Sequence, residues 1–244
     1  MQILDTWWQA VLQGFVRTEP LSFTLFPILA IIAICILLTV PRATWRYFGL
    51  YVTFVHELGH AFAALMTGRF VHGLKIGLDH SGELVSSGKP GFSAAWSGFW
   101  GYPVPALVGA MLIGSTYFGY GSAALSVGAL ILLVSLIFLR NWVGILVALS
   151  SAAIAQLLVV FTPKYAIAWV VLSLGLMLLI GGVRDLFKVL GVHISRRELI
   201  ASSDAYLLAT RSWLPAWFWL LGFTVVVGAC VVVSTMMLAL MMQA

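Results

Sequence analysis

YFGLYVTFVHELGHAFAALMT, Tyr47 to Thr67, is an apolar run with His56, Glu57 and His60 in its middle. Between Arg46 and Arg69 these three are the only ionisable side chains apart from the phenols of Tyr47 and Tyr51. On a helix, a spacing of four residues stacks both imidazoles on one face, about one turn apart, where two nitrogens reach a single zinc ion. Glu57 then stands beside the metal and not on it. A carboxylate in that position takes a proton from an activated water and passes it to a leaving amine. At this composition an HExxH pattern arises by chance on the order of 0.002 times per chain, which favours a real site. The bland alternative, a satisfied histidine pair in a packed core, leaves a carboxylate in an apolar segment unexplained.

Composition sets the surroundings of that helix. The 244 residues are 62% hydrophobic and only 9% charged, with a mean hydropathy of +1.07. Soluble domains carry about 25% charged residues, so this is a polytopic membrane protein, read as one transmembrane domain over residues 1–244. The net charge of +5 is scattered, and no basic run suggests nucleic acid. Cys35 and Cys230 both lie in apolar runs and say nothing of redox compartment. No basic n-region with a small-residue cleavage site stands at the start, so the first span is expected to act as the insertion signal.

The expected fold is all-α, about seven transmembrane helices with a short β-hairpin after the HExxH helix. Residues 3–16 put Leu4, Trp7, Trp8, Val11, Leu12 and Phe15 on one stripe, an amphipathic helix for the membrane interface or for packing on the bundle. Pro20 is expected to end it, and Leu21 to Val40 to form the first span. After the HELGH helix, residues 70–90 alternate and turn at Asp79-His80-Ser81-Gly82, which predicts a hairpin whose edge could hold an extended peptide. Gly91 to Phe118 is so rich in Gly and Pro that a broken or closely packed span is expected, a candidate wall for the zinc chamber. Further spans are expected over 122–139, 143–161, 165–180 and 215–240, with a charged segment opening at Gly181-Gly182. With the N-terminus placed in the cytoplasm, ten of the 13 Lys and Arg fall inside, and the hairpin shares that side.

A catalytic zinc takes three protein ligands and keeps one open position. Asp204, in Ser202-Ser203-Asp204-Ala205, reads as the first turn of a helix capped by Ser203, within a segment 199–241 that continues into the last span. It is weighed as the third ligand against a plain helix-start acid favoured by the macrodipole. Asp185 is the second choice, although Arg184 and Lys188 beside it suggest ion pairs.

HELGH in an apolar helix, a polar hairpin after it, a Gly/Pro-rich next span and a late Asp together resemble the site-2 protease family of intramembrane zinc metalloproteases. The compact chain is similar to the bacterial M50B-like branch of that family. The resemblance implies zinc on His56, His60 and Asp204, Glu57 as general base, and a membrane protein as substrate, often a regulator released by the cut. It also implies a multi-pass protein of a bacterial cytoplasmic membrane. Asp204 is followed by Ala205 where the commonest family motif has Gly. Asn141 is comparable with a substrate-holding Asn of the family, but Gly144 stands where that motif has Pro. The rival classes are a zinc-binding membrane scaffold without catalysis, and a metal transporter. A transporter needs a line of polar groups through several spans, which Asn141 and Gln156 alone do not make.

Overall fold

The computed structural model describes residues 2–19 and 23–243; the expected helix stop at Pro20 and span start at Leu21 lie outside them. The described chain forms α1 (Gln2–Gly14), α2 (Leu25–Thr39) and α3 (Arg42–Met66), then a hairpin of β1 (Phe70–Ile76) and β2 (Gly82–Ser87). There follow α4 (Phe92–Phe99), α5 (Pro103–Tyr117), α6 (Gly121–Ser135), α7 (Trp142–Phe161), α8 (Lys164–Ser195), a 3-10 turn (Arg197–Ser202), α9 (Asp204–Arg211) and α10 (Ala216–Met241). Pro41, Pro163 and Pro215 each stand in extended backbone just before a helix, where a missing N–H removes no helical bond.

The largest core lies between α2, α5, α8 and α10, around Ile28, Ala106, Ile113, Leu172 and Phe223. α5 and α8 meet at paired glycines: a Cβ on Gly109 would stand 2.6 Å from the Gly175 carbonyl oxygen, and one on Gly175 2.8 Å from that of Gly109. In lipid, where apolar side chains gain little from meeting each other, small residues of this kind let backbones pack directly.

Among the described residues, α7, α8 and α10 are long and apolar enough to cross a membrane. α2 and α3 satisfy that test only as a pair, and they are bent from each other by 95°. α5 and α6 are apolar but 15 residues long, about 22 Å at 1.5 Å per residue. Seven independent spans are therefore not what length and composition give. The HELGH helix, expected to cross the membrane by itself, meets that test only together with α2, from which it is turned at Pro41.

The helices place the polar connections at two ends. At one end Gln13 to Thr18 touches the loop after α5 and the start of α8: Thr18 N–H donates to Gly119 O at 3.0 Å, Arg17 Nε to Phe118 O at 3.1 Å, and Lys164 Nζ to Gln13 O at 3.2 Å. Phe23 N–H donates to Met241 O there as well. At the other end Arg184 Nε donates to Val40 O at 3.3 Å, and β1 pairs with the chain after α6 through Leu74 and Leu139. So α1 and the hairpin lie at opposite ends, not on the shared side expected from charge counting.

Two further expectations are corrected in detail. Gly181-Gly182 does not open a charged connection, because α8 continues to Ser195. Those glycines are crossing points, Gly181 against Val52 of α3 and Gly182 against Ala106 of α5. The Gly/Pro-rich segment is broken, as its composition suggests, at 100–102 between α4 and α5.

Candidate metal centre

Three donor atoms from two distant elements converge. His60 Nε2 lies 3.1 Å from His56 Nε2, and Asp204 Oδ2 lies 3.2 Å from His60 Nε2 and 3.3 Å from His56 Nε2. Nitrogen and oxygen ligands at about 2.0–2.1 Å from a tetrahedral zinc stand about 3.3 Å from one another, so the triangle has the size of one zinc face. A tetrahedral ion held by these three donors would keep its fourth position open.

Second contacts fix these donors. His60 Nδ1 lies 2.7 Å from Ser97 O; a carbonyl only accepts, so Nδ1 carries the proton and Nε2 presents its lone pair. Ser97 Oγ returns a bond to His60 O at 2.9 Å, which latches α3 to α4. Gly101 sits in the break that follows. A side-chain carbon there would overlap His60 Nε2 and stand 2.6 Å from His56 Nε2. The space both nitrogens face is thus kept free by a missing side chain, and the donor set and the space together fit a metal ion. Tyr102 turns its ring edge-on to His56, 4.9 Å between centroids.

Asp204 is delivered by its helix start. Ser203 Oγ caps α9, accepting Tyr206 N–H at 3.2 Å, and is 2.8 Å from His193 Nε2 near the end of α8. The end of one long helix therefore sets where the carboxylate begins. Asp185 does not join the cluster and stands 3.6 Å from Arg184, as its neighbours suggest.

Glu57 is 7% exposed and lines a groove of about 300 Å³ together with His60 and Asp204. Gly82, the first residue of β2, allows this, since a side-chain carbon there would overlap the Glu57 carboxylate. The hairpin is held on its other edge: Leu74 N–H donates to Phe138 O and Arg140 N–H to Leu74 O, both at 2.9 Å. Asn141 continues that pairing with its side chain, Nδ2 donating to Ile76 O at 2.7 Å and Oδ1 accepting Ile76 N–H at 3.1 Å. The structure thus places Asn141 on β1, with both amide groups engaged there. β2 is left as the open edge, and it faces the groove.

The hairpin turn is anchored next to the site. Ser81 donates to Asp79 Oδ1 from both its hydroxyl and its N–H, at 2.6 and 3.1 Å, and these bonds hold the Asp79 carboxyl below its ordinary range. His80 has φ +65° and stacks on Trp45 of α3, 6.0 Å between centroids. Arg184 lies 3.7 Å over that same indole. Burial pushes the His80 imidazole below its ordinary value, and the Lys188 and Arg184 charges act the same way.

Ser97 was not singled out from sequence; Gly82 was read only as a turn residue, Gly101 only as part of the Gly/Pro-rich break, and His193 only as a histidine of a polar connection. A family model, Peptidase M50B-like, matches residues 28–234. The chain belongs to the Peptidase M50B-like family. No curated protein and no solved structure is significantly similar to it. The match begins inside α2 and ends inside α10, so it encloses the donor triangle, Glu57 and the hairpin. For a member of this peptidase family with several apolar helices, a membrane metalloprotease is the class of function indicated.

Proposed function

We propose that this M50B-like chain is a zinc endopeptidase that hydrolyses peptide bonds of membrane-spanning or membrane-tethered proteins, in a regulatory setting. The donor triangle of His56 Nε2, His60 Nε2 and Asp204 Oδ2, with sides of 3.1–3.3 Å, carries the reading. A zinc ion held there would polarise the scissile carbonyl and acidify a water. Glu57 is the general base: it takes the proton of the attacking water and returns it to the departing amine. Its burial against Gly82 excludes bulk water from that exchange. The open edge of β2 holds the substrate as an added strand, which requires a helical substrate to unwind first so that its backbone N–H and C=O groups are free. Asn141 supports this by fixing β1, and so acts on substrate through the hairpin.

The same reading places the groove on the cytoplasmic face of a bacterial membrane. Of the 13 Lys and Arg only Arg17 and Lys164 belong to the α1 end. The other eleven belong to the hairpin end, the side that positive charge favours for the cytoplasm.

Elemental analysis of the detergent-purified protein tests the assignment. About one zinc per chain is expected in wild type, Glu57→Gln and Asp185→Ala, and little in His56→Ala or Asp204→Ala. Wild type that stays zinc-free after reconstitution would sink the metalloenzyme reading. Glu57→Gln also separates a protease from a zinc-holding scaffold, because the protease keeps its metal and loses cleavage.

A further inference from the structure

The groove beside the metal centre has a chemically distinct far end. Its walls each run outward from the donor triangle. β2 starts at Gly82 against Glu57 and reaches Ser86 four residues on, about 13 Å at 3.3 Å per residue. α9 starts at Asp204 and reaches Arg211 seven residues on, about 10 Å. α4 runs the opposite way, from Ser93 at the far end to Ser97 on His60.

Both arginines lining the groove stand at that far end. Arg69 is half-buried and held in place: Nη1 donates to Lys89 O at 3.0 Å and to Ser93 Oγ at 3.4 Å, and Nε to Ser86 Oγ at 3.4 Å. Its Nη2 has no partner among the described residues. Arg211, on α9, makes no hydrogen bond or ion pair among the described residues, and it is exposed. The acids nearby are engaged elsewhere. Glu83 turns to Lys75 across the hairpin at 3.3 Å, and Asp204 faces the imidazoles.

We propose that Arg69 and Arg211 form a carboxylate subsite, which selects substrates bearing a carboxylate three to four residues from the scissile bond. The spacing follows from a 10–13 Å groove and an extended peptide advancing about 3.3 Å per residue. A guanidinium with free donors beside a second, pre-positioned one recognises a carboxylate by charge-assisted hydrogen bonds. Two sources supply that group, an Asp or Glu side chain or the free end of a cleaved chain. The inference rests on the protease reading for the meaning of the subsite, not for its existence.

The test is a binding measurement on the full-length, zinc-loaded Glu57→Gln protein, which cannot turn over its ligand. Fluorescent nine-residue peptides of Ala, Val and Thr carry one Glu, one Gln or one Lys at each position in turn, with free or amidated C-termini, and anisotropy gives Kd. The expected result is a roughly tenfold preference for the carboxylate at one register, lost on adding Arg211→Gln and reversed toward Lys peptides on adding Arg211→Glu. A preference independent of amidation assigns the side chain; one that follows the free terminus and ignores Glu assigns the chain end. Equal affinities for Glu and Gln peptides and for free and amidated ends, no binding, or a preference that survives Arg211→Glu would each overturn the subsite. Cleavage by the wild type is scored separately. Cleavage without the preference removes the subsite alone, and the preference without cleavage removes the protease reading alone.

Discussion

Gly101 leaves no room for a side chain, because the volume a methyl group would take is the volume two imidazole nitrogens face. Gly101→Ala is expected to weaken zinc binding by at least the roughly 10–100-fold that disturbed ligand positioning costs. Chelator competition reads the affinity, and an unchanged helical circular dichroism would show that the fold survives; wild-type affinity in the variant would contradict the placement of the loop. Asn141 makes a second case. Its side chain serves both backbone groups of Ile76, so Asn141→Ala strands two partly buried polar groups, each worth about 1–3 kcal/mol. Faster amide exchange along β1 is expected, while zinc content stays at the wild-type level; lost zinc would place Asn141 at the metal instead. His56, Glu57 and His60 were legible in the sequence because their spacing is local, set by one helix turn. Gly101 and Ser97 were not, since their roles depend on where the chain returns some 40 residues later. Asp204 was legible as a helix-start acid, but its meeting with the imidazoles is a tertiary fact.

At the scale of elements, the hairpin is the part whose position the site depends on, and its turn is pinned by His80 on Trp45. Charged groups face that imidazole from two sides, Asp79 on the turn and Arg184, Asp185 and Lys188 on α8. Its value is lowered in the fold, chiefly by burial. A lowered value means the docked turn binds fewer protons than the free one. Docking is therefore complete above the ordinary histidine value of about 6.5 and is lost as pH falls through the lowered one. Hydrogen exchange of residues 77–82 is expected to quicken below about pH 6.5 in wild type and to be pH-independent, beyond intrinsic exchange, in His80→Gln. Equal acid sensitivity in both would assign it to another group. The hairpin itself was legible from alternation and turn residues. The length of α8 was not: Gly181-Gly182 reads as a stop, each Gly costing about 1 kcal/mol in a helix interior, yet close packing on Val52 and Ala106 overrides propensity.

For the whole molecule, the 95° bend between α2 and α3 decides which end α1 shares. Counting the HELGH helix as a crossing puts α1 with the hairpin. Turning it aside leaves α2, α5, α6, α7, α8 and α10 running between the two ends, so α1 and the end of α10 both lie at the end opposite the groove. Membrane character was readable from composition, but the end of the bundle that α1 shares was not, because it depends on the bend between α2 and α3, a tertiary fact. The place of the site along the bundle follows as well. Val52 of α3 crosses α8 at Gly181, 17 residues or about 25 Å from Lys164, so the HELGH helix sits toward the hairpin end. Single cysteines at Glu19 and Lys89, which bracket α2 and α3, test the sidedness, since Cys35 and Cys230 are buried and stay silent. A membrane-impermeant maleimide applied to intact bacterial cells is expected to label Glu19→Cys, and to label Lys89→Cys only after permeabilisation. Labelling of both from one side would put an even number of crossings between them and return the HELGH helix to the membrane as a crossing of its own; the reverse pattern would turn the groove outward and leave the charge distribution without an explanation.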